Sequence, residues 1–307
     1  MELSSIYHIN SENLADCQAD IFVTTLSHEI RCQTIARKME RLSCRKIALT
    51  KTDGCKEYAF KENQAYYQAH GFEIIPVSTD VPDVREIVKE VSTKEIRFIF
   101  DCTCMSQQWY YEFFRWFGEI QDLFSIARLR FVYSMAGYES ERSPRKVKRI
   151  EEFLKNEERR TKPKKALILG LGHEANVSES IWKIEKPDLL YLFYADPPVD
   201  KRFVEQLFIN NHALINETPI RNLVAYPINN GQVIYQTLIN TILPLRNDYS
   251  ITLIPQGPKI FSVASMLVHM GYPDTKISYP VFKNSPMMDR QSCGEPVVLD
   301  AYFEGDE

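Results

Sequence analysis

Long apolar runs are missing from this 307-residue chain: nowhere do eighteen apolar residues follow one another, so no segment reads as a membrane-spanning helix. The opening Met-Glu-Leu-Ser-Ser-Ile lacks the basic and apolar regions of a secretory signal, and a cytoplasmic protein without membrane association is expected. An excess of one charge is missing too. With 37 Lys and Arg against 41 Asp and Glu the formal charge is −4, which gives no field for sequence-blind binding to nucleic acid. The seven cysteines, Cys17, Cys32, Cys44, Cys55, Cys102, Cys104 and Cys293, form an odd set without a Cys-x-x-Cys pair, so reduced thiols are the expectation. Cys102-x-Cys104 has no second pair at zinc-ligand spacing, and no metal is expected. G-x-S-x-G, Walker A and H-E-x-x-H motifs are all absent, which disfavours the common hydrolase and ATPase classes.

What is present is a faint internal duplication, residues 20–138 and 165–283, with the same order of elements in each. The apolar run Ile21-Phe22-Val23-Thr24-Thr25-Leu26 ends in Ser27-His28-Glu29, and Ala166-Leu167-Ile168-Leu169-Gly170-Leu171 ends in Gly172-His173-Glu174. Short apolar runs alternate with helical periods, which predicts parallel strands joined by crossover helices. The first copy reads as strands at 21–26, 46–50, 72–77, 97–100 and 129–133, with helices near 32–39, 56–69, 82–92 and 106–119. The second reads as strands at 166–171, 189–194, 222–227, 251–254 and 276–279, with helices at 177–185, 199–214, 231–243 and 259–270. The expected fold is α/β: two duplicated Rossmann-like domains, each a five-stranded, mostly parallel sheet flanked by helices. The expected boundaries are 1–140 and 165–283, a charged linker at 141–164 that is partly helical around Val147, Ile150, Phe153 and Leu154, and an extension at 284–307. That extension holds Met287-Met288 and a candidate strand, Pro296-Val297-Val298-Leu299.

For strand order 3-2-1-4-5 the ligand crevice lies outside the carboxyl ends of strands 1 and 4, at the switch point where the order reverses. Strand 1 brings Ser27, His28 and Arg31 there in the first copy, and Gly172 and His173 in the second. Strand 4 brings Asp101, Thr103 and Ser106 in one copy and Gln256, Gly257 and Lys259 in the other. Glycines admit a phosphate to the backbone, helix N-termini offer N–H groups, and Lys259 adds a positive charge. Plain helix capping competes as the reading of Ser27, Thr103 and Ser106, and the helix dipole accounts equally well for Glu29 and Glu174. Gly170-Leu171-Gly172-His173-Glu174-Ala175 fits G-x-G-x-x-A, with Asp196 where a ribose-binding acid would stand and Asp53 at the matching place in the first copy. Against dinucleotide binding, the first copy has no such glycines, so the cofactor is left unknown. The aromatic segment Trp109–Phe117 reads as core or interface in the main, with base stacking as the lesser reading.

Asp101-Cys102-Thr103 in one copy and Gln256-Gly257-Pro258-Lys259 in the other resemble the end of strand 4 in CARF-type ligand sensors, the cyclic-oligonucleotide-binding domains of CRISPR and related antiviral systems. Each copy keeps a different half of that pattern; Gln107 stands where a basic residue would help hold phosphates, and Pro255 replaces the hydroxyl region. The phrase from Asp20 to Cys32 also resembles the opening of uncharacterised bacterial proteins associated with defence islands. The resemblance implies a sensor or accessory component of a bacterial antiviral system that binds a nucleotide or other phosphorylated ligand, with a protein partner in the same complex. Two other readings stay open. A hydrolase would use His28 or His173 as acid/base with Asp101 as carboxylate partner across the cleft, since adjacent side chains within each His-Glu pair point apart. A scaffold would retain only decayed ligand sites.

Overall fold

The alternation of short apolar runs and helices calls for a parallel core in the order 3-2-1-4-5, and the computed structural model contains that core twice. It describes all residues except 15–16, 78–83, 121, 141–144, 154–160, 284–287 and 306–307. The chain divides into two compact units, Met1–Gly137 with Met288–Glu307, and Tyr138–Met287. In chain order the elements of the first are β1 (Glu2–Ile9), β2 (Ile21–Thr25), α1 (Thr34–Lys38), β3 (Arg45–Lys51), α2 (Phe60–Ala69), β4 (Glu73–Val77), α3 (Val84–Val88), β5 (Glu95–Asp101), α4 (Gln107–Glu119) and β6 (Ile126–Tyr133). The second unit follows with β7 (Val147–Glu152), β8 (Lys164–Gly170), α5 (Val177–Glu185), β9 (Leu189–Ala195), α6 (Lys201–Asn210), α7 (His212–Glu217), β10 (Leu223–Tyr226), α8 (Gly231–Ile242), β11 (Tyr249–Ile254), α9 (Lys259–Gly271) and β12 (Lys276–Phe282). The last strand, β13 (Val297–Glu304), returns to the first unit.

The first sheet runs β1-β13-β6-β5-β2-β3-β4 and the second β10-β9-β8-β11-β12-β7. Strands β2 to β6 are mutually parallel, as are β8 to β12. In the first unit β2 sits between β3 and β5, with Phe22 opposite Ile99; in the second β8 sits between β9 and β11, with Ile168 opposite Leu253. Every residue of β2 is buried, as expected of a central parallel strand covered on both faces. Trp109, Tyr111, Phe113 and Phe114 of α4 are buried, with Phe113 against Phe100 at 4.7 Å and Phe114 against Phe131 at 5.0 Å. These four described rings are therefore core and offer no stacking platform.

Three strands lie outside the expected alternation and enlarge the five-stranded sheets to seven and six. Residues 147–152, expected as a helical part of the linker, form β7, which pairs antiparallel with β12. The expected extension contributes β13, which is longer than its candidate strand and is inserted antiparallel between β6 and β1. Neither segment is a linker or a tail; each supplies an antiparallel neighbour to a fifth parallel strand. Arg142, Leu154, Arg159, Arg160 and Met287 lie outside the described residues, as does the start of the helix expected at 82–92. The helix expected at 199–214 breaks at Asn211 into α6 and α7.

Candidate functional site

In the first unit a buried polar network joins the carboxyl ends of β2, β5 and β6. Thr24 Oγ1 donates to Asp101 Oδ2 at 2.9 Å, and the Thr103 N–H donates to Asp101 Oδ1 at 2.9 Å. The Ser134 N–H donates to Thr103 Oγ1 at 2.9 Å, and Arg31 Nη1 donates to the Ser134 carbonyl at 3.1 Å. Arg31 Nε pairs with Glu29 Oε2 at 2.6 Å. Asp101 is 1 % exposed and both its oxygens are engaged, so the carboxylate holds strands together and does not face an open cleft. Arg31 and Thr103, expected as ligand contacts, are likewise buried in this network. Burial opposes the Arg31 charge, but Cys104, Glu29 and Tyr133 outweigh it and hold its pKa above the ordinary arginine value. Burial pushes the Cys32 thiol up to about 12, which leaves no thiolate there at neutral pH.

Over this network runs a strap of the chain's own, Met288 to Cys293. Asp289 Oδ1 accepts from the Ile30 N–H at 2.9 Å, and His28 Nε2 lies 3.2 Å from the Met288 carbonyl oxygen, a contact that needs the proton on Nε2. Thr34 Oγ1 meets Ser292 Oγ at 2.6 Å, and the Cys293 N–H donates to the Met135 carbonyl at 2.9 Å. At the first copy's switch point a carboxylate of the chain thus occupies a backbone amide. Ser106 Oγ accepts from the Trp109 N–H at 3.4 Å, a long capping contact at the start of α4.

The second switch point is built from glycines. A Cβ on Gly170 would lie 2.6 Å from the Gln256 carbonyl oxygen and from the Phe261 ring, and one on Gly257, whose φ is +91°, would lie 2.7 Å from the Leu171 oxygen. These two glycines let the β8 and β11 exits touch, so their role is close packing of backbone. Gly172 differs. A Cβ there would meet nothing closer than the Gly257 nitrogen at 3.7 Å and the Glu174 nitrogen at 4.0 Å. Among the described residues neither of those two N–H groups has a hydrogen-bond partner. Backbone N–H groups close together in a turn are the kind of donors that can face an anion. The 13-residue α9 begins in the same turn with Lys259, and its N-cap, Pro258, provides no side-chain cap. Gln256 is buried behind this turn.

In both copies an asparagine from the helix after strand 2 clamps the strand 1 loop. Asn63 Nδ2 donates to the Ser27 carbonyl at 2.8 Å and the Glu29 carbonyl at 3.0 Å. Asn211 Nδ2 donates to the Gly172 carbonyl at 3.1 Å, and Asn210 Nδ2 donates to the His173 carbonyl. Fixing the carbonyls fixes the loop. Sequence reasoning missed these asparagines, because they act only through tertiary approach. Glu174 pairs with Arg145 at 2.6 Å, which ties it to the segment before β7. His173 stands 5.1 Å from the Phe203 ring and 6.1 Å from that of Tyr138. Asp53 and Asp196 are exposed beyond β3 and β9, the strands next to the switch strands; the Asp196–Pro197 bond is cis. The structure thus brings Gly172, Gln256, Gly257 and Lys259 into one turn region, while Asp53 and Asp196 stand at neighbouring strand ends.

Among the described residues no group of three or more His, Cys, Asp and Glu could hold a metal ion, and no helix is long and apolar enough to cross a membrane. No protein-family model matches the chain, and no curated protein does. One solved structure similar to it is the cytoplasmic domain of a prokaryotic cation chloride cotransporter, 8% identical, with 86% of this chain and 96% of that one covered at a TM-score of 0.27. At that level nothing of the other protein's fold or role is carried over.

Proposed function

We propose that the protein binds a nucleotide or other phosphorylated ligand at the second unit's switch point, as a sensor or accessory component. The observation that carries this reading is the pair of unpartnered N–H groups, Glu174 and Gly257, at the open side of Gly172. The uncapped start of α9 and Lys259 add positive potential in the same turn. A place in bacterial antiviral defence rests on the resemblances at the end of strand 4 and from Asp20 to Cys32 alone. The first copy is the weaker candidate, since its Asp101, Thr103 and Arg31 are spent on internal bonds. With both Asp101 oxygens engaged, the hydrolytic reading through His28 or His173 and Asp101 has no observation in its favour.

Gly172→Ala is the decisive variant, because its methyl would meet only ordinary van der Waals contacts while lying 3.7 Å from the Gly257 nitrogen and 4.0 Å from the Glu174 nitrogen. Calorimetric titration of the full chain with inorganic phosphate and ATP should show binding weakened about 10-fold or more in Gly172→Ala, the size of one lost charge-assisted hydrogen bond. The melting temperature should stay unchanged. Lys259→Ala should also weaken binding. No binding to the wild type, or binding that both variants leave intact, would overturn the reading.

A further inference from the structure

The tip histidine of each copy is matched with an aromatic ring from the segment that follows strand 2. His173 lies 5.1 Å from Phe203, in the first turn of α6, and His28 lies 5.7 Å from Tyr58, just before α2. The second copy adds Tyr138, in edge contact with Phe203 at 5.2 Å. Arg202, held by Asp200, places its guanidinium 5.0 Å from the Tyr138 ring.

Ordinary packing accounts poorly for these rings. Tyr138, His173 and Phe203 are only half-buried and lie outside the apolar core built around β8 and α5. Tyr58 is harder still to explain as packing: it is 58 % exposed and sits at φ +51°, a left-handed conformation costly for an aromatic residue. In the second copy the ring-bearing His173 lies between Gly172 and Glu174 in the chain, in the loop that carries the Glu174 amide.

We infer that the His173–Phe203–Tyr138 group is a ledge for a planar heterocycle, so that the phosphorylated ligand of the neighbouring turn is a nucleotide and not a sugar phosphate. The inference rests on the proposed anion site and adds a second subsite to it. Half-buried rings offer π surface to a base regardless of its hydrogen-bonding pattern, and the nearby Arg202 guanidinium favours an electron-rich partner. Asn210 and Asn211 hold the His173 loop so that the ledge and the amides keep one spacing.

The test titrates the full chain with the 5′-monophosphates of adenosine, guanosine, cytidine and uridine, with ribose 5-phosphate, and with inorganic phosphate. At least one nucleotide should bind about 5-fold or more tighter than ribose 5-phosphate. Phe203→Leu, which keeps apolar bulk but removes the π face, should close that gap and leave phosphate binding as it was. Gly172→Ala should weaken all of them. Equal affinity for ribose 5-phosphate and every nucleotide, or a preference that survives both Phe203→Leu and Tyr138→Leu, overturns the ledge while the anion site stands. Failure of all six compounds to bind overturns both.

Discussion

The two copies share a parallel core and differ at its carboxyl end, and the difference lies in where the chain spends its own polar groups. In the first, Asp289 takes the Ile30 amide, Asp101 is bonded to Thr24 and Thr103, and Arg31 is buried against Glu29 and Ser134. In the second, where Asn210 and Asn211 clamp the loop carbonyls as Asn63 does in the first, the Glu174 and Gly257 amides have no partner among the described residues. The amide that Asp289 takes, Ile30, lies one position beyond the match of Glu174, so the copies differ in the strap laid on the loop and not in the fate of one equivalent amide. Both copies also add an antiparallel strand beside strand 5, but from opposite directions in the chain: β7 precedes the second core, whereas β13 follows it and returns to the first. A duplicated fold can thus differ at its strand-tip loops without changing its core order, because the strap that Asp289 lays on one loop leaves the central strands alone.

The largest effect should come from cutting the tie that brings the C-terminal strand into the first unit. Asp300 of β13 is fully buried and receives Arg130 Nε at 2.7 Å and Arg128 Nη2 at 2.6 Å from β6. Asp300→Ala leaves two arginines facing a buried site without their counter-charge, which costs about 3–5 kcal/mol. Hydrogen exchange should then show lost protection across β6 and β13 while β8 and β11 keep theirs. Loss of protection shared equally by both units would mean that the comparison between independent units is wrong.

The parallel cores could be read in the sequence because strands covered on both faces are continuous apolar runs, as in Ile21–Thr25 and Ala166–Gly170. The added strands could not. In β7, Val147 and Ile150 are three residues apart, a helical spacing, and the rest of the strand is charged and at least partly exposed. In β13 the acidic Asp300 interrupts an apolar run whose charge makes sense only once Arg128 and Arg130 are opposite it. The site shows the same division. Gly172, Gly257 and Lys259 announce themselves through local chemistry, whereas the asparagine clamps and the Asp289 strap depend on contacts across many residues. A charged residue at a strand tip, such as Arg31, suggests solvent, and only the fold reveals that Glu29 and the Ser134 carbonyl draw it inward.

A smaller effect should erase part of the difference between the copies. Asp289→Ala removes the acceptor from the Ile30 amide and should cost about 1 kcal/mol, the usual scale for loss of a side-chain cap. The Ile30 amide should exchange faster, and denaturant unfolding should shift to lower concentration by that amount. The remaining strap bonds, from Ser292 and Cys293, should keep the rest of the loop in place. An unchanged Ile30 exchange rate would show that the strap does not hold this loop and that the first copy is as open as the second.

The smallest effect belongs to the second unit, where Arg246 grips Asp274 through Nη2 to Oδ1 at 2.7 Å and Nε to Oδ2 at 2.9 Å. Burial acts to raise the Asp274 pKa, but the Arg246 hydrogen bonds and charge, with Lys162 adding to them, leave it below its ordinary value of 3.8. A carboxyl with a depressed folded pKa stabilises the protein above its unfolded pKa, and that contribution fades as pH falls through the lower folded value. The second unit should therefore lose this stabilisation as pH drops below about 4, and Arg246→Ala should remove the pair's share of the slope. Both side chains are about one-third exposed or more, so solvent screening limits the effect to roughly 0.2–1 kcal/mol and added salt should shrink it. Urea unfolding between about pH 6 and about pH 3 measures this directly. If wild type and Arg246→Ala lose stability in parallel over that range, the ion pair contributes nothing, and the acid response of the second unit lies in other carboxylates.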